Sequence, residues 1–146
     1  MQIDEIETVL DGIVHGETQR GDDEYELTVA GIHRLHEPGH IDFGGGETTE
    51  PETEPLDTKK RHAEDEYGWW NLEPGTYLLA YNETLDLPDA SLVLQPRPAL
   101  AEMGVSHPTM IVDSLPRVPL AVPPAGARIK ENARVSRLVP VTEGRR

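Results

Sequence analysis

Proline and glycine interrupt this chain so often that a bundle of long helices is ruled out. The sequence has 13 prolines and 13 glycines among its 146 residues. Proline removes a backbone donor, and glycine favours turns. The segments between them are short apolar runs such as M-I-V-D, V-P-L-A-V and A-R-V-S-R-L-V. This pattern predicts short strands joined by turns, in a compact all-β barrel or sandwich.

Only the N-terminus has the periodicity of a helix. Apolar residues recur at three- and four-residue spacing, which predicts one amphipathic helix ending near Gly16; they are Ile3, Ile6, Val9, Leu10, Ile13 and Val14. The run Y-E-L-T-V-A-G-I-H-R-L then alternates apolar and polar residues, as a half-buried strand does. The length favours a single domain over residues 1–146.

Residues 44–66 contain almost nothing that could enter a core, so they are interpreted as an acidic loop insertion. A polar loop of this length usually takes its order from a neighbouring chain, which indicates an assembly.

The charge balance is strongly acidic. Aspartate and glutamate number 27 against 13 basic residues, for a net charge of −14, and the lysines are Lys59, Lys60 and Lys130. In about 1 M salt the screening length falls to about 3 Å, which removes most self-repulsion. Such a chain, which also lacks cysteine, suggests a salt-loving host or its virus; an ordinary acidic protein is the alternative.

The same composition bounds the partners and the location. No basic stripe is available to replace phosphate counterions, so a nucleic-acid partner is not expected. No apolar run is long enough to span a bilayer, and the N-terminus does not have the form of a secretory signal. We therefore expect no membrane partner and a location in the cytoplasm or virion of a halophilic archaeal system.

Four stretches, in order, resemble the dCTP deaminase and dUTPase family. They are D-E-Y-E-L-T-V-A-G-I, an early strand; P-G-T-Y-L-L-A-Y-N-E-T-L-D-L-P-D, a central hairpin; P-R-P-A-L-A-E-M-G, at the place of a phosphate-binding motif; and N-A-R-V-S-R-L-V, a closing strand. The resemblance spans roughly residues 20–140. It implies a β-clip, dUTPase-like distorted barrel or jelly roll with one short N-terminal helix.

The resemblance also implies a homotrimer with active sites between subunits. Each site would bind a pyrimidine deoxynucleoside triphosphate with magnesium; if nucleotide binding is lost, no cofactor is expected. Such a site needs hydroxyls, backbone N–H groups and guanidinium groups for the phosphates, and a carboxylate to activate water.

The phosphate-binding motif is degenerate when it is compared with the family pattern. Arg97 matches its first arginine, but Pro98 and Ala99 replace two serines, and Pro98 also lacks a backbone donor. Glu102 stands at the place of a second arginine, so an anion replaces a bidentate cation. The motif predicts a phosphate site with weakened or lost binding.

The position of the general base is also altered. Asp113 matches the family's aspartate, but the glycines that follow it in the family are absent, and Ala121 or a neighbour lies where the deaminases carry a glutamate. No acidic residue occurs from Ser114 to Lys130. No catalytic residue is therefore assigned, although a replacement base elsewhere in the chain stays open.

Two further groups were considered as sites. His33, His36 and His40 have the spacing of metal ligands, but positions 33 and 36 of a strand point to opposite faces, so no metal site is predicted. Trp69 and Trp70 are interpreted as core or subunit contacts rather than as a platform for bases.

The sequence thus predicts a non-catalytic, dUTPase-like trimer that acts as a structural or assembly protein, such as a capsid-decorating protein of a haloarchaeal virus. The alternative is a divergent dCTP deaminase or dUTP pyrophosphatase of pyrimidine deoxynucleotide metabolism. A third possibility is a regulator that keeps Arg97 and Asp113 for nucleotide binding only.

Overall fold

A computed structural model describes residues 1–141 of the chain. Its helices are short: α1 is Ile3–Val9, α2 is Gly16–Gln19 and α3 is Pro98–Glu102. The strands are β1 Leu10–Asp11, β2 Tyr25–Leu35, β3 Thr53–Pro55, β4 Trp69–Leu72, β5 Gly75–Tyr81, β6 Thr84–Leu85, β7 Leu92–Pro96, β8 Met110–Val112, β9 Val118–Val122, β10 Ala127–Lys130 and β11 Arg134–Pro140. The mainly β architecture predicted from the sequence is confirmed.

Most strands form one antiparallel sheet of seven strands. Its order is β8-β7-β11-β2-β5-β9, and β3 pairs with β2 outside this path. The long strand β2 joins two halves, because its first residues, Tyr25–Thr28, pair with β11 and its later residues pair with β5. The β2–β5 pairing has a register shift between Val29 and Gly31, and the β11–β2 pairing has one between Arg134 and Ser136. The sheet therefore changes direction along β2.

The core lies on one face of this sheet, where the alternation of each strand places its apolar residues. Leu27 and Val29 of β2, Leu79 of β5, Leu120 of β9 and Leu138 of β11 have no exposed surface. Each such side chain contributes roughly 1.5–3 kcal/mol when it is buried. The apolar residues of the short strands therefore form one core cluster.

The N-terminal segment differs from the predicted single helix. Helix α1 ends at Val9, because Leu10 and Asp11 pair with Leu85 and Thr84 as strand β1. Gly12 then adopts a left-handed φ of +81°, which turns the chain. The apolar spacing continues to Val14, but tertiary pairing of β1 overrides it.

The acidic segment 44–66 makes backbone pairings with other parts of the same chain. Strand β3 lies inside it and pairs with His33, Arg34 and Leu35 of β2. Lys59 forms two backbone hydrogen bonds with Trp69, of 2.8 and 2.9 Å. The segment 44–66 therefore contains one short strand and two backbone bridges, at Thr49 and Lys59.

Candidate anion-binding site

Arg97 and Arg134 lie side by side because two neighbouring strands meet there. Arg97 follows β7, Arg134 begins β11, and the N–H of Arg97 donates to the carbonyl of Val135 at 2.9 Å. The Arg97 guanidinium also donates through Nη1 to the carbonyl of Arg134 at 2.9 Å. The pairing of β7 with β11 therefore holds the two cations together where β7 ends and β11 begins.

A single carboxylate lies between these cations. Glu26 Oε2 is 2.5 Å from Arg97 Nε, and Glu26 Oε1 accepts a hydrogen bond of 2.8 Å from Arg134 Nη1. The side-chain Nε–H of Arg97 is not aligned with the Glu26 carboxylate, so this contact is an ion pair without a well-formed hydrogen bond. Within this cluster of three side chains, two positive charges and one negative charge leave one net positive charge, which favours binding of an anion.

Both arginines line a cavity of about 380 Å³. Its other lining residues come from α2, from the loop before it, from β2 and from the turn before β11; they are Val14, His15, Thr18, Gln19, Thr28, Asn132 and Ala133. The lining contains two guanidinium groups, an imidazole, hydroxyls and amides, but no carboxylate. Such a set suits a phosphate-bearing ligand.

The floor of the cavity is fixed by Glu83, which is 2% exposed. Its carboxylate accepts three hydrogen bonds: one from the Thr28 N–H at 2.9 Å, one from Thr28 Oγ1 at 2.6 Å, and one from Gln19 Nε2 at 2.9 Å. Asn82 extends this network by donating to Thr28 Oγ1 and to Asn132 Oδ1. Because a buried carboxylate is costly when unpaired, the network strongly specifies the positions of these residues.

His15 is held at the rim of the cavity by a defined arrangement. The Gln19 Oε1 accepts hydrogen bonds from the N–H groups of Val14 and His15, at 2.9 and 2.8 Å. The His15 Nδ1 accepts from the N–H of Thr18 at 3.3 Å, so the neutral ring carries its proton on Nε2. That N–H is a further donor beside the two arginines.

The structure places only Arg97, among the site residues predicted from the sequence, in this cavity. Pro98 and Ala99 are exposed at the start of α3, and Glu102 is exposed at its end. Asp113 is exposed after β8, where its carbonyl accepts from the Leu87 N–H at 2.9 Å. Ala121 is exposed in β9 and pairs with Thr76 and Ser106. Sequence reasoning missed Glu26, Arg134 and Glu83 as partners, although each lies within a motif that carries the family resemblance.

Metal ligation does not fit this lining. The cavity has no carboxylate, and residues 1–141 contain no cluster of three or more histidine, cysteine, aspartate or glutamate side chains that could hold an ion. His33 lies on β2, while His36 and His40 follow that strand, and the His40 imidazole bonds to Thr49.

A second group of buried polar side chains is centred on Ser136 of β11. The Ser136 hydroxyl is 2.6 Å from the Tyr81 hydroxyl and 2.8 Å from His107 Nε2, and His107 Nδ1 is 2.9 Å from the carbonyl of Pro108. That carbonyl can only accept, so Nδ1 carries the ring proton and Nε2 accepts from Ser136. Burial lowers the pKa of His107 and raises that of Tyr81. Ser136 is fully buried, so this group is structural.

The sequence is similar to several archaeal enzymes of one kind. It is 29% identical over 137 residues, covering 90% of this chain and 77% of the relative, to a probable deoxyuridine 5'-triphosphate nucleotidohydrolase (dUTPase) of Methanosarcina mazei. A protein of the same description from Methanosarcina acetivorans matches equally in identity and coverage. One from Methanococcoides burtonii is 25% identical over 73% of this chain and 59% of its own length. No family model matches the sequence.

A solved structure shows the same fold. The 2'-deoxycytidine 5'-triphosphate deaminase of Agrobacterium tumefaciens matches 94% of this chain with a TM-score of 0.58 and 14% identity. The chain is similar to dUTPases in sequence and to a dCTP deaminase in fold. Its motif-based family resemblance is thereby confirmed. The chain spans 47% of that deaminase chain. Among residues 1–141, no helix is long and apolar enough to cross a membrane.

Proposed function

We propose that this dUTPase-like chain binds a pyrimidine deoxynucleoside triphosphate and hydrolyses it as a divergent nucleotidohydrolase. The proposed substrate is dUTP. The observation that carries the proposal is the pair Arg97 and Arg134, which line a cavity of about 380 Å³ and share Glu26 as their ion-pair partner. The similarity to archaeal dUTPases over 90% of the chain supports the choice of substrate.

The proposed reaction adds water to the α-phosphorus of dUTP. A new bond forms between the water oxygen and that phosphorus, the bond from the α-phosphorus to the bridging oxygen breaks, and dUMP, pyrophosphate and a proton are released. The two guanidinium groups would bind phosphate oxygens and offset their charge. The His15 Nε2–H and the Asn132 amide would supply further donors, in place of the hydroxyls that Pro98 and Ala99 lack.

A second candidate is nucleotide binding without turnover. It is favoured by the absence of a free carboxylate at the cavity among the described residues: Glu26 is paired with two arginines, and Glu83 is buried and accepts three hydrogen bonds.

A homotrimer, as the resemblance implies, would bring residues of a neighbouring copy to the site and supply the missing base. The comparisons give no support to a structural role in a capsid, and we do not propose it further.

The test is incubation of the full chain with magnesium and dUTP, or with dCTP as a second substrate, while pyrophosphate release and product bases are measured. We expect pyrophosphate release from dUTP, and calorimetric binding of a non-hydrolysable dUTP analogue. Arg134→Gln should weaken that binding by about tenfold, the cost of one charge-assisted contact. Arg117→Gln, an exposed arginine outside the cavity, is the matched control and should bind as the wild type.

The outcomes separate the candidates. Binding of the analogue without release of pyrophosphate or of deaminated product would favour the binding protein over the enzyme. No binding of dUTP, dCTP or the analogue by the wild-type chain would overturn both. Light scattering of the same sample tests the proposed homotrimer.

A further inference from the structure

Four of the 13 basic residues of this acidic chain lie together around one face of a small sheet. Strand β10 pairs with β4 so that Lys130 lies opposite Trp69, and Lys59 pairs with Trp69 from the other side. Residues directly opposite in a sheet project to the same face, and so do residues two apart on one strand. Lys59, Trp69, Lys130 and Arg128 therefore share a face.

Arg61 joins this group through the indole ring. Its guanidinium carbon lies 3.8 Å from the centroid of the Trp69 ring, and the Lys130 Nζ lies 5.8 Å from it. Both distances are within the range of a cation–π interaction, so Trp69 holds the two cations together. We call Lys59, Arg61, Trp69, Arg128 and Lys130 the basic face.

The four cations of the basic face are in no ion pair with a carboxylate among residues 1–141. Ion pairs there involve Arg20, Arg97, Arg134 and Arg137 only. The adjacent carboxylate of Glu131 accepts hydrogen bonds through Oε1 from Thr58 Oγ1 and from the N–H of Gly68, each at 2.9 Å, and is not in an ion pair with any of these cations. Four like charges thus stand together without an ion-pair partner among the described residues, on a chain of net charge −14.

The spacing of these charges matches an extended peptide. Arg128 and Lys130 are two residues apart on β10, or about 7 Å. The alternate side chains of any extended segment repeat at the same distance. A cleft of about 660 Å³ continues from Arg128, and Asn71, Glu73 and Met103 also line it. The cleft offers room for uncharged residues of such a segment, since Glu73 would repel a carboxylate there.

We propose that the basic face binds an extended acidic polypeptide segment of a partner protein, with carboxylates at alternate positions. Arg61 already covers one face of Trp69, which leaves less of the ring for a stacked base. The acidic surface beyond the basic face repels a long polyanion. Both points favour a short acidic peptide over a nucleic acid. The proposal is independent of the nucleotide cavity, which shares no residue with the basic face.

The binding test uses fluorescence anisotropy with labelled peptides at about 0.05 M salt. The probe is the hexapeptide E-T-E-T-E-T; the controls are Q-T-Q-T-Q-T, which has no charge, and E-E-E-T-T-T, which has the same charge at the wrong spacing. We expect the alternating peptide to bind, the uncharged peptide not to bind, and the blocked peptide to bind several-fold more weakly. Equal affinity for both acidic peptides would overturn the spacing argument.

Variants assign the binding to the basic face. The double variant Arg128→Gln/Lys130→Gln should weaken binding of E-T-E-T-E-T by about tenfold, because each exposed charge contact contributes up to about 1 kcal/mol. Arg117→Gln changes an exposed cation elsewhere and should bind as the wild type. Circular dichroism of each variant checks that its fold is retained. Unchanged affinity in a folded double variant would overturn the proposal.

Two further probes exclude other occupants. The oligonucleotide dT6 should bind more weakly than the acidic peptide, and tighter binding of dT6 would assign the face to nucleic acid instead.

The chain itself carries exposed glutamates at alternate positions, Glu50, Glu52 and Glu54. If their replacement by glutamine and the double variant both abolish self-association, the occupant is a second copy rather than a separate partner.

Discussion

At the scale of single residues, the position of charge decides what the cavity can bind. Glu26 pairs with Arg97 and Arg134 at once, so the two guanidinium groups share the negative charge of one carboxylate. A carboxylate between two guanidinium groups also prevents them from separating, which keeps the cation pair in place before a ligand arrives. The site is therefore preorganised for an anion.

His107 provides a residue-scale prediction on pH. Burial lowers its pKa, so the folded chain binds its proton less readily than the unfolded chain, whose histidine has a pKa of about 6.5. The unfolded state therefore holds more protons below about pH 6.5, and stability falls as the pH decreases from there. We expect a loss of at most about 1.4 kcal/mol per pH unit from this residue.

The measurement is the free energy of unfolding in urea at intervals between pH 7.5 and 5. In His107→Gln, which keeps one donor and one acceptor, the part of the slope due to His107 should disappear. His33, whose pKa burial also lowers, would leave a slope of the same sign. His36→Gln, at an exposed position, is the control. Identical slopes in the wild type and His107→Gln would contradict the prediction.

At the scale of elements, the turn between β1 and α2 ties the N-terminus to the turn that carries Glu83. Gly12 has a φ of +81°, and a Cβ atom there would lie 2.5 Å from the carbonyl oxygen of Asn82. Gly12→Ala should therefore destabilise the chain by about 1–3 kcal/mol, through strain and displacement of the 82–83 turn. The matched control is Gly44→Ala, where nothing lies within 4 Å of the added atom.

Urea unfolding measures this prediction directly, and the two alanine variants should differ by at least about 1 kcal/mol. Nucleotide binding provides a second reading, since displacement of Glu83 would disturb Gln19 and Thr28 at the floor of the cavity. If both variants unfold at the same urea concentration, the Gly12 turn does not constrain the N-terminal elements.

The elements also show where sequence reasoning succeeds and where it stops. The strands were predictable because alternation and turn residues are local signals, and the order of four motifs identified the fold. The end of α1 was not predictable, because Leu10 leaves the helix to pair with Leu85, far away in the sequence. For the same reason Arg97 was predicted but its partner Glu26 was not. Long-range pairing, rather than spacing, brings these residues together.

At the scale of the whole molecule, a net charge of −14 opposes compaction, while the basic face depends on local attraction. Salt should therefore raise the stability of the fold and weaken the binding of an acidic peptide to the basic face. Between about 0.05 and 1 M KCl the screening length falls from more than 10 Å to about 3 Å, which reduces the repulsion among carboxylates. We expect the unfolding temperature to rise by at least about 4 °C, or roughly 1 kcal/mol.

The same increase in salt should weaken the binding of E-T-E-T-E-T, because exposed ion pairs are screened. A triple variant with Glu50, Glu52 and Glu54 changed to glutamine removes three of the negative charges and brings −14 to −11. Its unfolding temperature should rise less with KCl than that of the wild type, as measured by circular dichroism. An equal rise in both would mean that salt acts through preferential exclusion rather than through the charge of the chain, since exclusion strengthens burial whatever the net charge.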